Sequence, residues 1–232
     1  MKRFVSLLLI CLMIVGFSFP AAAKNGVPEN REDPAARYEE TAQALRDAGI
    51  AIPEEKVNET KAWMETYDLE RAFFASYLLS RVGWGVYDYD TYSWTPTSSD
   101  VYAFDAEIVD YTRMYELFFQ GITAIVPGFE AADVNEVIEP WAPDDNPPDF
   151  VPGVRSEGIV KVGFTMNGRR YERELLSWSD WFNEDAIDWI NEALEAEGFP
   201  GRLYSFPDAG QGLILIYGGP EKAEAVRRAL GQ

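Results

Sequence analysis

Five aromatic residues between positions 84 and 94 are the side chains best suited to recognition chemistry. They are Trp84, Tyr87, Tyr89, Tyr92 and Trp94, with Asp88 and Asp90 between them. Flat rings on an extended segment can stack on sugar faces, and carboxylates between them can accept hydrogen bonds from hydroxyl groups. We therefore predict a ligand-binding surface here. The ligand is either a cell-wall polysaccharide or a protein partner, because aromatic residues are also enriched at protein interfaces.

The same aromatic segment also fits a purely structural role. Alternate rings would then fill the core, and the remaining rings would cover the edge of a sheet. Another aromatic group, Trp178, Trp181, Phe182 and Trp189, has the spacing of core and rim residues. A groove lined partly by Trp178 and Trp181 is compatible with that spacing.

The composition excludes several catalytic mechanisms. The chain has no histidine, which removes Ser-His-Asp and Cys-His nucleophile systems and all histidine-ligated metal sites. Its 39 acidic residues offer many carboxylate pairs, but no motif selects one pair for glycoside hydrolysis. We therefore expect no catalytic residues. The alternative is a metal-independent hydrolase that cleaves glycans with two carboxylates.

Two acid-rich stretches do not fit the calcium-loop pattern, which needs glycine at its sixth position and glutamate at its twelfth. Counting from Asp88 the twelfth residue is Ser99, and counting from Asp144 it is Arg155. The glycine pairs near the C-terminus lack the spacing and the basic residue of a phosphate loop. The sequence therefore predicts no metal site and no cofactor.

The fold that must position these residues is clearest in the hairpin Val160–Leu175. Asn167-Gly168 is the preferred pair for a two-residue type I′ turn, which sets Met166 opposite Arg169. Arg173 falls on the apolar face, and we expect its guanidinium to reach solvent or a carboxylate. The other members of that face are Val160, Val162, Phe164, Met166, Tyr171 and Leu175.

The hairpin begins a strand-strand-helix-strand-strand-helix unit over residues 159–230. Apolar residues at i, i+3 and i+7 predict a helix over Glu184–Glu197. The segment Leu213–Tyr217 is apolar throughout, which is typical of a central strand covered on both faces. Pro220 begins the last helix at the position that proline prefers.

Four helices are predicted upstream of this unit, the last of them over Tyr111–Ile125. Pro34 and Pro53 begin the first two, and the third, over Leu69–Val82, is apolar nearly all round and is expected to be buried. The strand that follows alternates from Tyr102 to Ile108 and should leave Ala103, Asp105 and Glu107 on a wet face. Residues 129–137 fit either a strand or a helix, and residues 140–158 are predicted to form a proline-rich loop.

Residues 1–23 have the features of a secretory signal peptide. Lys2 and Arg3 precede the apolar run Phe4–Phe17, which is shorter than the roughly 20 residues that span a membrane. Ala21-Ala22-Ala23 supplies a small-residue cleavage site. The single cysteine lies inside the apolar run, so the exported chain has none, which favours a bacterial origin.

The formal net charge of −19 restricts the partners of this chain. A surface of that charge repels phosphate backbones and anionic lipids, so we expect no nucleic acid and, after signal cleavage, no membrane partner. It suits a soluble secreted protein, and it would also suit an inhibitor or immunity-like protein that meets a basic partner.

Together these features predict an α+β fold, with a mostly antiparallel sheet and helices packed on one face, preceded by an N-terminal helical arm. The predicted parts are a signal peptide over 1–23, a helical arm over 24–67 and an α+β domain over 68–232. The function that the sequence favours is an exported, soluble, non-catalytic protein that binds a polysaccharide or a protein.

Overall fold

The computed structural model describes residues 34–88, 90, 93–107, 113–143, 145–151, 154–178 and 180–232. The predicted signal peptide lies outside these residues. In the described part no helix is long and apolar enough to cross a membrane. The helices are α1 (Pro34–Asp47), α2 (Glu54–Thr66), α3 (Phe74–Gly83), α4 (Met114–Ile125), α5 (Asp185–Ala196) and α6 (Pro220–Leu230), and a 3₁₀ turn, Arg71–Phe73, precedes α3.

The strands of the described residues pair antiparallel throughout, which confirms the α+β prediction. A central sheet has the order β3-β10-β9, and a hairpin sheet has the order β4-β7-β8. Two short ribbons, β1-β2 and β5-β6, complete the set. The strands are β1 (Val86–Asp88), β2 (Ser93–Thr95), β3 (Val101–Asp105), β4 (Ala132–Pro140), β5 (Asp149–Val151), β6 (Val154–Arg155), β7 (Gly158–Met166), β8 (Arg169–Ser177), β9 (Arg202–Pro207) and β10 (Gly212–Gly218).

The predicted register of the hairpin is confirmed. Met166 pairs with Arg169 across the turn, and Asn167 and Gly168 both have positive φ, as a type I′ turn requires. The Arg173 guanidinium forms an ion pair with Glu192 of α5, so its charge is compensated at the rim of the apolar face. That apolar face packs on α4 and α5, so the hairpin sheet has helices on one face, as predicted.

The central sheet separates two cores, because its strands are buried on both faces. The main core lies between one face of this sheet, α4, α5 and the hairpin sheet, and it contains Leu213 and Leu215 of β10. The second core lies on the other face, under α1, α2, α3 and α6, and contains Ile214 and Ile216. The prediction that this strand is central and covered twice is therefore confirmed.

Three local predictions need correction. Ala103 was expected to be exposed to solvent, but α3 covers that face of β3 and the residue is only 3% exposed. The proline-rich segment 140–158, predicted to be a loop, contains the ribbon β5-β6, while the segment 129–137, for which a strand and a helix were both open, enters strand β4 at Ala132. The third helix begins later than predicted, and Phe73 at its start is exposed rather than buried.

The first two helices pack on the second core. The rings of Tyr38 in α1 and Phe74 in α3 lie 4.5 Å apart, and the backbone N–H of Ala51 donates to Asp100 Oδ2 over 3.0 Å. Leu45 of α1 and Val57 of α2 are fully buried in the same core. The described part of the predicted arm therefore shares its core with the central sheet.

Asn191 of α5 joins this helix to the outer strand β9. Its Nδ2 donates to the carbonyl of Leu203 over 3.0 Å, and its Oδ1 accepts from the N–H of Leu203 over 2.7 Å. Leu203 faces Tyr217 across the β9-β10 pair, and its N–H and carbonyl bond to Asn191. The buried amide therefore satisfies two backbone groups that water does not reach.

Replacing Asn191 with alanine should destabilise the fold by about 2–4 kcal/mol, because the N–H and the carbonyl of Leu203 both lose their partner in a buried site. Urea denaturation of the native protein and the variant measures this difference in the free energy of unfolding. Asn58→Ala, at an exposed position of α2, is the matched control and should change stability by less than about 0.5 kcal/mol. Equal stabilities for the two variants would contradict the assigned role.

Glu136 of β4 reaches the beginning of α4. Its Oε2 accepts from the backbone N–H of Tyr115 over 2.7 Å, and its Oε1 is buried with no hydrogen-bond partner among the described residues. Burial raises the pKa of the Glu136 carboxyl, and the N–H groups at the start of α4 oppose this effect only in part. The folded state therefore holds a proton here more tightly than the unfolded chain does.

The stabilising contribution of Glu136 should be greatest at low pH. A raised pKa in the folded state gives a contribution that is complete below the unfolded pKa of about 4.5 and is lost as the pH rises through the folded pKa. Glu136→Gln removes this titration and retains the acceptor for Tyr115. The free energy of unfolding of the native protein minus that of the variant should fall as the pH rises above about 4.5. A difference that stays constant or rises would contradict the burial effect.

Candidate functional site

The aromatic segment 84–94 folds back on itself. Strand β1 pairs with β2, which places Tyr87 opposite Trp94. Tyr89 and Tyr92 lie outside the described residues, so three of the five predicted ligand-binding rings can be located. These three do not share one environment.

Trp94 is half-buried and packs at the rim of the main core. Its ring covers Gly85 so closely that a Cβ at that glycine would lie 2.0 Å from Trp94 Cε2. The ring also meets the edge of Tyr102, with the centroids 5.2 Å apart. Trp84 differs, because it is 47% exposed while its backbone pairs with Ala103 on the side of β3 away from β10. Trp94 therefore has a packing role, and Trp84 presents a ring at the surface.

A groove of about 470 Å³ opens at one end of the central sheet, next to the last residue of β3 and the first residues of β10. Trp178 and Trp181 line one wall, and residues 207–212 line the other. Ala106 and Phe182 line the groove between the two walls. Both tryptophans are half-buried and line the groove.

Backbone hydrogen bonds hold both walls. The N–H of Trp181 donates to the carbonyl of Trp178 over 3.3 Å, and the N–H of Phe182 donates to the carbonyl of Ala106 over 2.7 Å. In the opposite wall Asp208 Oδ1 accepts from the N–H groups of Gly210 and Gly212, over 2.6 and 2.9 Å. The groove is therefore preorganised by the ends of the central sheet.

Gln211 lines the groove and links it to two carboxylates that lie beside it. The Nε2 of Gln211 donates to Asp105 Oδ1 over 3.2 Å and to Glu107 Oε2 over 2.7 Å. The two carboxylates are thus bridged by a single amide, which leaves their remaining oxygens available as acceptors. Neither carboxylate forms an ion pair with a lysine or arginine of the described ranges.

The first residues of α5 add further carboxylates to the groove. Glu184 and Asp185 line it and are exposed. Asn183 is buried and already bonded, with its Nδ2 on the carbonyl of Leu176 and its Oδ1 on the N–H of Asp185. The accessible chemistry of the groove therefore consists of two indole faces, one amide and several hydrogen-bond acceptors of negative charge.

Strand β3 connects the groove with the exposed ring of the aromatic segment. The backbone of Trp84 pairs with Ala103, and that of Trp181 pairs with Glu107 four residues further on. At the usual rise of a strand these two positions are about 13 Å apart. Of the located rings in the predicted set, Trp84 and Trp94 border the same strand as the groove tryptophans.

The acid-rich stretches have ordinary local partners. Asp88 Oδ1 accepts from the N–H of Asp90, and Asp145 Oδ2 accepts from the N–H of Ala142, both over 2.8 Å. Asp144 lies outside the described residues. Among the residues that the structure places, no three acids or cysteines converge as the ligands of a metal ion would.

Sequence reasoning missed the polar end of the groove, although it allowed for the tryptophan wall. Gln211 and Asp105 are 106 positions apart, so no local pattern joins them. The signal that was present is the polar residue between the glycines of Gly210-Gln211-Gly212. Two turn glycines with a long polar side chain between them are typical of a loop that presents that side chain.

Comparisons were made with models of protein families, with curated protein sequences and with solved structures. No family model, curated sequence or solved structure matches this chain.

Proposed function

We propose that this chain is an exported, non-catalytic binding protein that holds a neutral polysaccharide in the groove between Trp178, Trp181 and residues 207–212. The observation that carries the proposal is the pair of half-buried tryptophan rings that line the groove beside the Asp105, Glu107 and Gln211 network. Anchored aromatic rings with a few placed polar groups are the usual composition of a small-molecule site.

The two kinds of groups suit the two kinds of surface on a sugar ring. Its C–H face is apolar and stacks on an indole, and its hydroxyl groups donate to carboxylate oxygens. Because Asp105 and Glu107 accept from one amide, they keep acceptor capacity for such hydroxyls. A ligand without hydrogen-bond donors would leave this remaining acceptor capacity unused.

The charge of the groove selects against anionic glycans. Glu184 and Asp185 line the groove, Asp105 and Glu107 bond to its Gln211, and the chain as a whole has a formal net charge of −19. A uronic acid or sulfated polymer would meet this field and be repelled. The proposed ligand is therefore an uncharged glycan such as a glucan or chitin chain.

The groove gives less support to the alternative of glycoside hydrolysis. A glycosidase needs a proton-donating carboxyl, whose pKa is usually raised by burial. The carboxyl of Glu136 has a raised pKa, but this residue does not line the groove and one of its oxygens caps α4. We therefore assign the exposed carboxylates of the groove to hydrogen bonding with ligand hydroxyls.

Trp181→Ala should weaken the binding of a neutral polysaccharide by about 5- to 30-fold, because loss of one stacking ring costs about 1–2 kcal/mol. The assay incubates the full chain, in the form in which it accumulates after expression, with cellulose, chitin, xylan, alginate and bacterial wall material. Bound protein and released sugar are both measured. Trp181→Phe keeps a ring and should recover most of the binding.

The matched control is Tyr67→Ala, which removes an exposed ring outside the groove and should leave binding unchanged. Trp84→Ala tests the sequence-predicted surface. If Trp84→Ala abolishes binding while Trp181→Ala does not, the site is the aromatic segment and not the groove. Release of soluble sugar would establish the hydrolase alternative, and retention on alginate alone would contradict the neutral ligand.

A further inference from the structure

A second aromatic surface lies at the corner between α2 and α3, outside the groove. Tyr67 and Phe73 are 64% and 44% exposed, and Trp63 and Tyr77 beside them are half-buried. Trp63 contacts both tyrosines, with its ring centroid 5.8 Å from Tyr67 and 4.8 Å from Tyr77, and Phe73 lies 6.4 Å from Tyr77. We call these four rings the corner face.

The corner face is not required to fill the second core. The other side of α3 does that, through Phe74, Leu78 and Leu79, which are buried. Phe73, Tyr77 and Arg81 are four residues apart and share the outer side of the helix. Contiguous exposed rings are uncommon on a monomeric protein, and they usually mark an interaction surface.

Carboxylates border this face without compensation. Glu65, Asp68 and Glu70 are exposed next to Tyr67 and Phe73, and none of them forms an ion pair with a described lysine or arginine. Two arginines already contact other rings. Arg81 lies over the ring of Trp63 at 4.7 Å, and Arg71 lies near the ring of Tyr38 at 6.0 Å. Within the corner face only the half-buried Trp63 therefore has a cation over its ring among the described residues, and the exposed rings of Tyr67 and Phe73 have none.

An arginine from another protein has the chemistry that completes this surface. A guanidinium stacks on an aromatic face and forms paired hydrogen bonds with a carboxylate, which a lysine ammonium does less well. Arg81 on Trp63 shows that the geometry is already used within the corner face. The net charge of −19 would in addition speed the approach of a basic partner.

A second copy of this chain fits the corner face poorly. A two-fold contact places the same surface patch on both sides, so Glu65, Asp68 and Glu70 of the two copies would be brought together. Like charges that face each other across an interface oppose association.

We propose that the corner face docks an arginine-bearing segment of a basic protein partner. Tyr67 and Phe73 supply the stacking surfaces, and Asp68 and Glu70 supply the carboxylates between them. This interaction uses a surface different from the groove, so either proposal can fail without the other.

The test compares two peptides of equal charge, hepta-arginine and hepta-lysine, each labelled with a fluorophore, at physiological ionic strength. Non-specific electrostatic attraction to an acidic protein gives both peptides the same affinity, whereas stacking on aromatic rings favours the arginine peptide. The native chain should bind hepta-arginine about five-fold more tightly than hepta-lysine. The double variant Tyr67→Ala/Phe73→Ala should bind both peptides equally, at the affinity of hepta-lysine.

Trp84→Ala removes an exposed ring elsewhere and should keep the preference for arginine. The double variant Asp68→Asn/Glu70→Gln retains the rings. It should weaken the binding of both peptides, and that of hepta-arginine more than that of hepta-lysine. The proposal is overturned if the native chain binds the two peptides equally, or if the double ring variant keeps the preference. It is also overturned if sedimentation shows a dimer that the double ring variant abolishes, because the occupant is then a second copy.

Discussion

Strand β10 has no side that faces water, and most of the structure follows from this constraint. Leu213 and Leu215 fill the main core, and Ile214 and Ile216 fill the second core. A strand so placed must satisfy every N–H and carbonyl within the sheet, which requires a partner strand along each edge. β3 and β9 are those partners, and the six helices found in the described ranges cover the two apolar layers together with the hairpin sheet.

The two surfaces proposed for recognition belong to different cores. Trp181 packs on the main core, whereas Trp63 and Tyr77 pack on the second core, on the opposite face of the central sheet. Each surface combines rings that pack on a core with carboxylates that form no ion pair with a lysine or arginine of the described ranges. In the two proposals, the carboxylates at the groove accept from hydroxyl groups, and those of the corner face pair with a cation.

The parts of the fold that were predictable are those specified over short stretches. Asn167-Gly168 determines the hairpin register, and the continuous apolar run at Leu213–Tyr217 identifies the central strand. Ala103 was misjudged because a small apolar residue among acids does not reveal that a helix covers it. Phe73 was misjudged because an all-round apolar pattern predicts burial, whereas its helix needs only one buried side. The Gln211 network depends on tertiary contacts that no local pattern contains.

The amide of Asn191 has a consequence for assembly. By taking both backbone groups of Leu203, it occupies the position where an additional strand would bond to β9. On the opposite border Trp84 occupies the same kind of position at Ala103 of β3. A strand added at either margin of the central sheet would have to displace one of these contacts, which limits edge-to-edge pairing at Leu203 and at Ala103.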